Sequence, residues 1–459
     1  MRHCTLVAAC TSLGLSSLVL AQSAPVRYEI YPLGSFGGGL NTSPSDINNA
    51  GVIAGTALRF FEPTKPAAFT WDAGVYTNIT EALGRQGYCG AINERGDLAL
   101  ATNPGFLLNQ PGHAYITRNG VPVFLSRSFF SPSAANDLDD SATLVVGTVC
   151  TREDDLSSRQ AVVWRNDQPT LLGTLGGPTS FGLAISNAGV AVGAAETAEL
   201  DENGFFVRRA FRWSAATGLA DLGTLDERNP DATSFASDVN DLGWIVGFSD
   251  SPVQFVSRAF VWREGVMTDL GALGDENISA FADAINETGL VVGTSFDAQG
   301  FSHAVRWGPR GIESLDSLLP EGSPWTLGSA AAVNDFGVIT GTGARNGDSM
   351  AYVLVPTHLS LEVSALRAGA EATLAAGNAT PGESVSFFVS RSPGRTDLLP
   401  LGVRLELASP LLIGAADADA QGSATLTRRV PAGAPSGLTL HFQAAEYTRT
   451  SAVVSATVE

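Results

Sequence analysis

Apolar residues in this chain fall into many short alternating runs, and one such run recurs along most of its length. It reads SDINNAGVIAG from Ser45 to Gly55. Related copies end at Gly193, Gly247, Gly293 and Gly341, and weaker copies end at Ala101 and Gly147. Apolar residues alternating with small ones predict strands, and the central Asn and Gly predict a tight turn. Each copy therefore predicts a β-hairpin.

Two further units follow the hairpins and extend the pattern to four strands per repeat. The first unit is a stretch such as RAFVW, and its copies end at Trp71, Thr117, Trp164, Trp213, Trp262, Trp307 and Leu354. The second is Leu-Gly-x-Leu, which is clearest at 172–175, 222–225 and 270–273. Five of the seven Trp residues close the first unit. Such regular placement predicts packing between neighbouring sheets rather than a platform for sugars.

The last repeat lacks the Leu-Gly unit after Ala351, whereas Leu33-Gly34-Ser35-Phe36 precedes the first hairpin. We therefore predict that an N-terminal strand completes the last sheet. The fold class predicted for 26–356 is an all-β, seven-bladed β-propeller, because ring closure removes exposed sheet edges. An open solenoid is the alternative, although it needs no displaced strand.

The repeat blocks resemble the extracellular HAF repeat family, named after a His-Ala-Phe triplet. The Leu-Gly-x-Leu and Ile-Asn-x-x-Gly-x-Val-Val-Gly blocks carry the resemblance, which covers most of the chain. The triplet itself occurs only in variant forms, such as His113-Ala114-Tyr115 and Arg209-Ala210-Phe211. The resemblance implies an exported bacterial protein of unassigned function, and it carries no catalytic residues across.

The C-terminal segment, 357–459, has a different pattern. Short alternating runs such as Leu359–Val363, Val385–Val389 and Val403–Leu407 are separated by Pro-Gly and similar turn residues. Six or more such strands predict an immunoglobulin-like β-sandwich.

The N-terminal residues, 1–21, predict a signal peptide. Arg2 precedes an apolar stretch that ends in small residues before Gln22. We therefore expect a secreted, periplasmic or cell-surface protein with no integral membrane segment in the mature chain. Two of the four cysteines, Cys89 and Cys150, remain after cleavage. Export permits a disulfide between them, and two unpaired buried thiols are the other expectation.

Charge and motifs narrow the chemistry. The net charge of −19 argues against nucleic acid as a partner, because phosphate binding requires clustered Lys and Arg. The sequence contains no nucleophile elbow, phosphate loop or HExxH motif. We predict no catalytic residues and a binding or scaffold function. The alternative is a glycan-acting hydrolase or lyase that uses two carboxylates across the propeller axis.

Acidic residues cluster where the longer connections of the propeller are predicted. In a meander of four strands, the tight turns fall on one face, and the longer, more variable connections fall on the other. Variable loops on a rigid scaffold are a usual place for binding. We predict that this acidic face binds a basic partner or a glycan bridged by a divalent cation; a solvated acidic rim is the alternative, and no other cofactor is expected. The candidate ligand-binding residues are Glu153, Asp154, Asp155, Glu199, Asp201, Glu202, Asp226, Glu227, Asp275 and Glu276.

Overall fold

The computed structural model describes residues 28–36, 41–59, 62–80, 87–102, 112–125, 130–152, 155–253, 255–308 and 311–459. The predicted signal peptide lies outside these residues. Within them the chain is all-β, with three short 3₁₀ turns at Leu156–Ser158, Leu315–Leu318 and Leu399–Leu401. The described residues contain no apolar helix of membrane-spanning length.

The described part of 28–356 forms seven four-stranded antiparallel sheets. Strand β1 (Tyr28–Pro32) comes first in the chain. Sheet 1 consists of β2 (Asn41–Ile47), β3 (Ile53–Arg59), β4 (Glu62–Asp72) and β5 (Val75–Asn78). Sheet 2 consists of β6 (Gly87–Ile92), β7 (Leu98–Thr102), β8 (His113–Arg118) and β9 (Val121–Phe124). Sheet 3 consists of β10 (Phe130–Leu138), β11 (Leu144–Cys150), β12 (Arg159–Arg165) and β13 (Gln168–Gly173).

The remaining sheets repeat the same order. Sheet 4 consists of β14 (Gly176–Ile185), β15 (Ala191–Leu200), β16 (Phe206–Ser214) and β17 (Gly218–Asp221). Sheet 5 consists of β18 (Ser234–Val239), β19 (Ile245–Asp250), β20 (Ser257–Arg263) and β21 (Val266–Asp269). Sheet 6 consists of β22 (Ala280–Ile285), β23 (Val291–Phe296), β24 (Ser302–Gly308) and β25 (Gly311–Ser314). Sheet 7 consists of β26 (Trp325–Val333), β27 (Ile339–Arg345), β28 (Asp348–Pro356) and β1.

The N-terminal strand lies where the repeat count predicts it. β1 pairs antiparallel with β28, from Tyr28 opposite Pro356 to Pro32 opposite Tyr352. The amide of Leu33 then donates to the carbonyl oxygen of Ala351 at 3.0 Å. The strand ends just before Leu33, so in sheet 7 the Leu-Gly unit follows the fourth strand instead of forming it, whereas in sheet 3 Leu172 and Gly173 end that strand. The same correction holds in sheet 4, where β17 ends at Asp221.

Neighbouring sheets pack face to face through the residues that the repeat units supply. Trp164 of sheet 3 is fully buried against Ala99 and Ile116 of sheet 2. Between the last and first sheets, Ala351 packs in one cluster with Phe69. The sheets therefore follow one another around a ring, which is the arrangement of a β-propeller. The Trp residues serve as packing between sheets, as predicted.

The two cysteines are both free and buried in this structure, which matches the second of the two expectations, unpaired buried thiols. Cys89 packs with Ala54 and Ala68 of sheet 1. Cys150 lies on the same face of β11 as Val146, whose side chain packs against sheet 4. Because side chains two positions apart on a strand share a face, the two thiols point toward different sheets.

The C-terminal segment forms separate sheets. One contains β29 (Ser360–Val363), β30 (Glu371–Gly377) and β35 (Ala424–Arg429). A second contains β31 (Ser384–Ser390), β34 (Leu411–Asp417), β36 (Thr439–Glu446), β37 (Arg449–Thr450) and β38 (Val454–Thr457). A third pairs β32 (Pro393–Leu398) with β33 (Val403–Leu407). The first two share one core, in which Leu374 and Leu426 pack with Phe387 and Phe442.

The C-terminal segment is anchored to the ring by two arginines. Arg306 of sheet 6 is fully buried and donates to the hydroxyls of Tyr28 at 3.1 Å and Thr448 at 2.9 Å. Arg404 of β33 pairs with Asp335 of sheet 7 at 2.5 Å. Tyr28 belongs to the strand that completes sheet 7, so Arg306 links ring closure to the C-terminal segment.

Candidate binding face

The two ends of each sheet carry different connections. The turns between first and second strands and between third and fourth strands lie at one end, here called the turn face. The connections between second and third strands and between successive sheets lie at the other end, here called the loop face. The acidic residues predicted from sequence belong to the loop face.

The structure places eight of the ten candidate residues, whereas Glu153 and Asp154 lie outside the described residues. Asp155 precedes the 3₁₀ turn between β11 and β12. The other seven lie in three connections, within or beside the β15–β16 loop, between sheets 4 and 5, and between sheets 5 and 6: Glu199, Asp201, Glu202, Asp226, Glu227, Asp275 and Glu276.

Several of the aspartates accept hydrogen bonds within their own loops. The hydroxyl of Ser157 donates to Asp155 and lowers its pKa most; the amide of Ser157, at 2.9 Å, and the ion pair with Arg152, at 2.9 Å, lower it further. Asp201 accepts from two backbone amides of its own turn, at 2.9 Å each. Asp275 accepts from the amide of Asn277 at 2.9 Å. These carboxylates shape the loops, as Asx turns do.

The glutamates of the loop face are different. The side chains of Glu199, Glu202, Glu227 and Glu276 are exposed. Among the residues the structure describes, none of the four makes a side-chain hydrogen bond or ion pair within the chain. Glu227 also lines a cleft of about 510 Å³ with Asp226, Arg228 and Met267. The four glutamates thus present carboxylates that remain open to a ligand.

A metal site is not assembled in the described part of the chain: no three His, Cys, Asp or Glu side chains converge there in a way that would hold an ion.

Carboxylates on the turn face have a structural role that sequence reasoning missed. In each sheet, one side chain of the turn between the first and second strands accepts a hydrogen bond from a backbone amide. That amide belongs to the same turn of the preceding sheet, and the distances are 2.7–3.4 Å. We call this closed series the turn belt; its members are Asn49, Glu94, Asp140, Asn187, Asp241, Glu287 and Asp335. In the sequence its signal was an acid or Asn that recurs at the second position of each repeated turn.

The first turn residues behave as predicted and also do more. The side-chain oxygen of Asn48 caps its own turn by accepting from Ala50 at 3.1 Å and Val52 at 3.0 Å. Its amide nitrogen donates to the carbonyl oxygen of Asn93 in the next sheet at 3.1 Å. The predicted tight turn is therefore confirmed; the structure adds its side-chain cap and the bond between sheets.

Carboxylates along the first strands are likewise used internally. Asp46, Asp137 and Asp238 each accept an amide of the following sheet, from Ile92, Ile185 and Ile285 at 2.8–2.9 Å. Burial, with smaller contributions from the nearby charges of Asp238 and Glu94, raises the pKa of Asp46 to about 7. These aspartates join sheets to one another.

Comparisons with known proteins give distant similarities to solved structures. The β-propeller domain of the trilobed protease from Pyrococcus furiosus is 9% identical, with 70% of this chain and 94% of that chain covered and a TM-score of 0.46. TolB from Acinetobacter baumannii is 11% identical over 67% of this chain and 63% of that chain, with a TM-score of 0.37. A fungal alcohol oxidase of the AA5 family is 11% identical over 94% and 99%, with a TM-score of 0.42. No protein-family profile and no curated protein matches the sequence.

Proposed function

We propose that this protein is a secreted or cell-envelope binding or scaffold protein that holds its ligand on the loop face, and that it is not an enzyme. In this proposal the seven sheets are the blades of a closed seven-bladed β-propeller. Segment 357–459 is an immunoglobulin-like sandwich docked on the turn face. The predicted signal peptide and the resemblance to the HAF repeat family support the exported location.

The observation that carries the proposal is the contrast between the two faces. Carboxylates of the turn belt, such as Glu287 and Asp335, accept hydrogen bonds from neighbouring sheets. The loop-face glutamates Glu199, Glu202 and Glu276 have no such use among the described residues. Unpaired like charges on a rigid surface contribute nothing to folding, but they attract a ligand of opposite charge and speed its association.

The chemistry of this face favours a ligand that supplies positive charge. Lys and Arg side chains of a partner protein would do so directly. A divalent cation held jointly by the face and an acidic glycan would do so indirectly. The two routes are separable by a chelator, because only the second depends on the cation.

The test uses the mature chain and a variant, E199Q/E202Q/E227Q/E276Q, that removes four loop-face charges and keeps the side-chain shapes. The matched control, D72N/E264Q/E362Q/E371Q, removes four exposed charges from the turn face and the C-terminal segment. Binding is measured to Lys-rich peptides, and to alginate with calcium or with chelator. We expect the first variant to bind at least one probe tenfold or more weakly than wild type, and the control to bind normally. Equal binding by all three proteins, or absence of binding to every probe, would contradict the proposal.

A further inference from the structure

We propose that Phe205, Phe255 and Phe301 together form an apolar contact surface that binds a basic polypeptide segment carrying apolar side chains. This inference rests on the proposed function, because it assigns the partner of the same loop face. The three phenylalanines occupy the same connection, between second and third strands, in sheets 4, 5 and 6. Consecutive sheets are neighbours in the ring, so the three side chains lie along one arc of the loop face.

Two of the phenylalanines are displayed by the same turn. In Asp201-Glu202-Asn203-Gly204-Phe205, the Asp201 carboxylate accepts the amides of Asn203 and Phe205, both at 2.9 Å. In Asp297-Ala298-Gln299-Gly300-Phe301, the Asp297 carboxylate accepts the amides of Gln299 and Phe301, again at 2.9 Å. Glycine takes a positive φ of 81° in the first and 83° in the second. The fixed turn directs Phe in both cases to the same place.

The exposure of these rings is high. Phe205 is 71% exposed, Phe301 is 68% exposed and Phe255 is 94% exposed. Phe255 is also held at a φ of 64°, a left-handed conformation that a bulky residue seldom adopts. Leu200 and Phe206, on the same loop as Phe205, add further exposed apolar surface. The turn chemistry depends on the Asp and Gly, so folding gives no reason for an aromatic ring at its end.

The setting of the rings decides between kinds of partner. Glu199 and Glu202 flank Phe205, and Glu227 and Glu276 lie in the adjoining connections of the same face. Carboxylates disfavour an anionic membrane surface, whose attraction is for basic segments. Phe lacks the polar atom with which Tyr or Trp would bond to sugar hydroxyls. A polypeptide that offers both Lys or Arg and apolar side chains complements the rings and the carboxylates together.

The experiment measures binding of labelled peptides to the mature chain. The probe is a 16-residue peptide of alternating Lys and Leu, compared with a Glu/Leu peptide and a Lys/Ser peptide of the same length. The variant is F205S/F255S/F301S. Its matched control is V75S/V121S/L242S, which removes three apolar side chains, each more than half exposed, from the turn face.

We expect wild type and the control to bind the Lys/Leu peptide at least tenfold more tightly than the Phe variant does, a difference of about 1.4 kcal/mol. We also expect both comparison peptides to bind wild type weakly. Equal binding by wild type and the Phe variant would overturn the inference. So would preferential binding to anionic vesicles or to alginate that the Phe variant loses, because the partner would then belong to another class.

The two proposals fail in distinguishable ways. If E199Q/E202Q/E227Q/E276Q weakens binding but F205S/F255S/F301S does not, the loop face binds by charge and the aromatic inference is wrong. If neither variant changes binding, the loop face is not the binding surface and both proposals are wrong. Circular dichroism of each variant checks that the sheets are retained.

Discussion

The side-chain amide of Asn334 donates to the backbone carbonyl oxygen of Asn48 at 3.1 Å, across 286 residues of sequence. The same bond joins Asn48 to Asn93 and Asn286 to Asn334. Asn334 therefore makes, between the last and first sheets, the same hydrogen bond that Asn48 and Asn286 make between consecutive sheets. The turn belt closes in parallel, since the amide of Asp335 donates to the side-chain oxygen of Asn49 at 2.9 Å.

Replacing Asn334 by Asp should weaken ring closure. The carboxylate keeps the caps to Phe336 and Val338, but it loses the donor to Asn48 and places a charge beside that carbonyl oxygen. We expect a loss of about 1–3 kcal/mol in the free energy of unfolding, the cost of a buried polar group left unpaired. Urea unfolding measures it, with the exposed Asn346→Asp as the control of equal charge. Equal stability of the two variants would show that this bond does not hold the ring.

The anchoring of the C-terminal segment makes a second prediction. Arg306 pairs with Glu313 at 2.7 Å besides bonding Tyr28 and Thr448. R306M removes the ion pair and both hydroxyl bonds of a fully buried cation, so it should cost about 3–5 kcal/mol, the range for breaking a buried ion pair. T448V, which removes a single acceptor, should cost about 1–3 kcal/mol.

The control for Arg306 is Arg367, whose pair with Glu459 is exposed on both sides. R367M should change the free energy of unfolding by less than about 1 kcal/mol, because exposed pairs contribute little. If R306M were no more destabilising than R367M, the C-terminal segment would not be held by Arg306.

The dependence of stability on pH gives a third prediction. Burial holds the pKa of Asp46 and of Glu287 at about 7. In the unfolded chain, the pKa of an Asp or Glu side chain is about 4. A raised pKa means that the folded state binds the proton more tightly. The resulting stabilisation is complete below about pH 4 and is lost as pH rises through 7. The free energy of unfolding should therefore be larger at pH 5 than at pH 8.

D46N tests the assignment of this pH dependence. The variant removes one titrating group, so the difference between pH 5 and pH 8 should shrink relative to wild type. Asp348, which is exposed on the loop face, supplies the control D348N, for which the difference should be unchanged. An undiminished difference in D46N would assign the effect to other groups.

The sequence predicted the repeat, the turns and the position of the N-terminal strand, because these depend on local pattern and on counting. One end point was wrong by one residue. Leu100 pairs with Cys89 as Gly55 pairs with Pro44, so the second copy of the hairpin unit ends at Leu100 and not at Ala101. The turn belt and the contact of Arg404 with Asp335 needed the ring itself, since their partners come from different sheets. The exposure of Phe205 and Phe301 also required the structure, although the repeated Asp-x-x-Gly-Phe pattern was visible in the sequence.

The most direct measurement concerns the strand that completes sheet 7, since the ring and both of its faces depend on it. Glu29 lies opposite Val355 in the β1–β28 pair. Opposed residues of antiparallel strands have Cα atoms about 4.5–5.5 Å apart, within the range of a disulfide. Under mild oxidation, E29C/V355C should form an intramolecular cross-link, identified by peptide mapping, and should raise the unfolding midpoint. E29C/V75C, which pairs β1 with the outer strand of sheet 1, should not. Two unlinked thiols in E29C/V355C, or efficient linkage in the control, would contradict the closed ring.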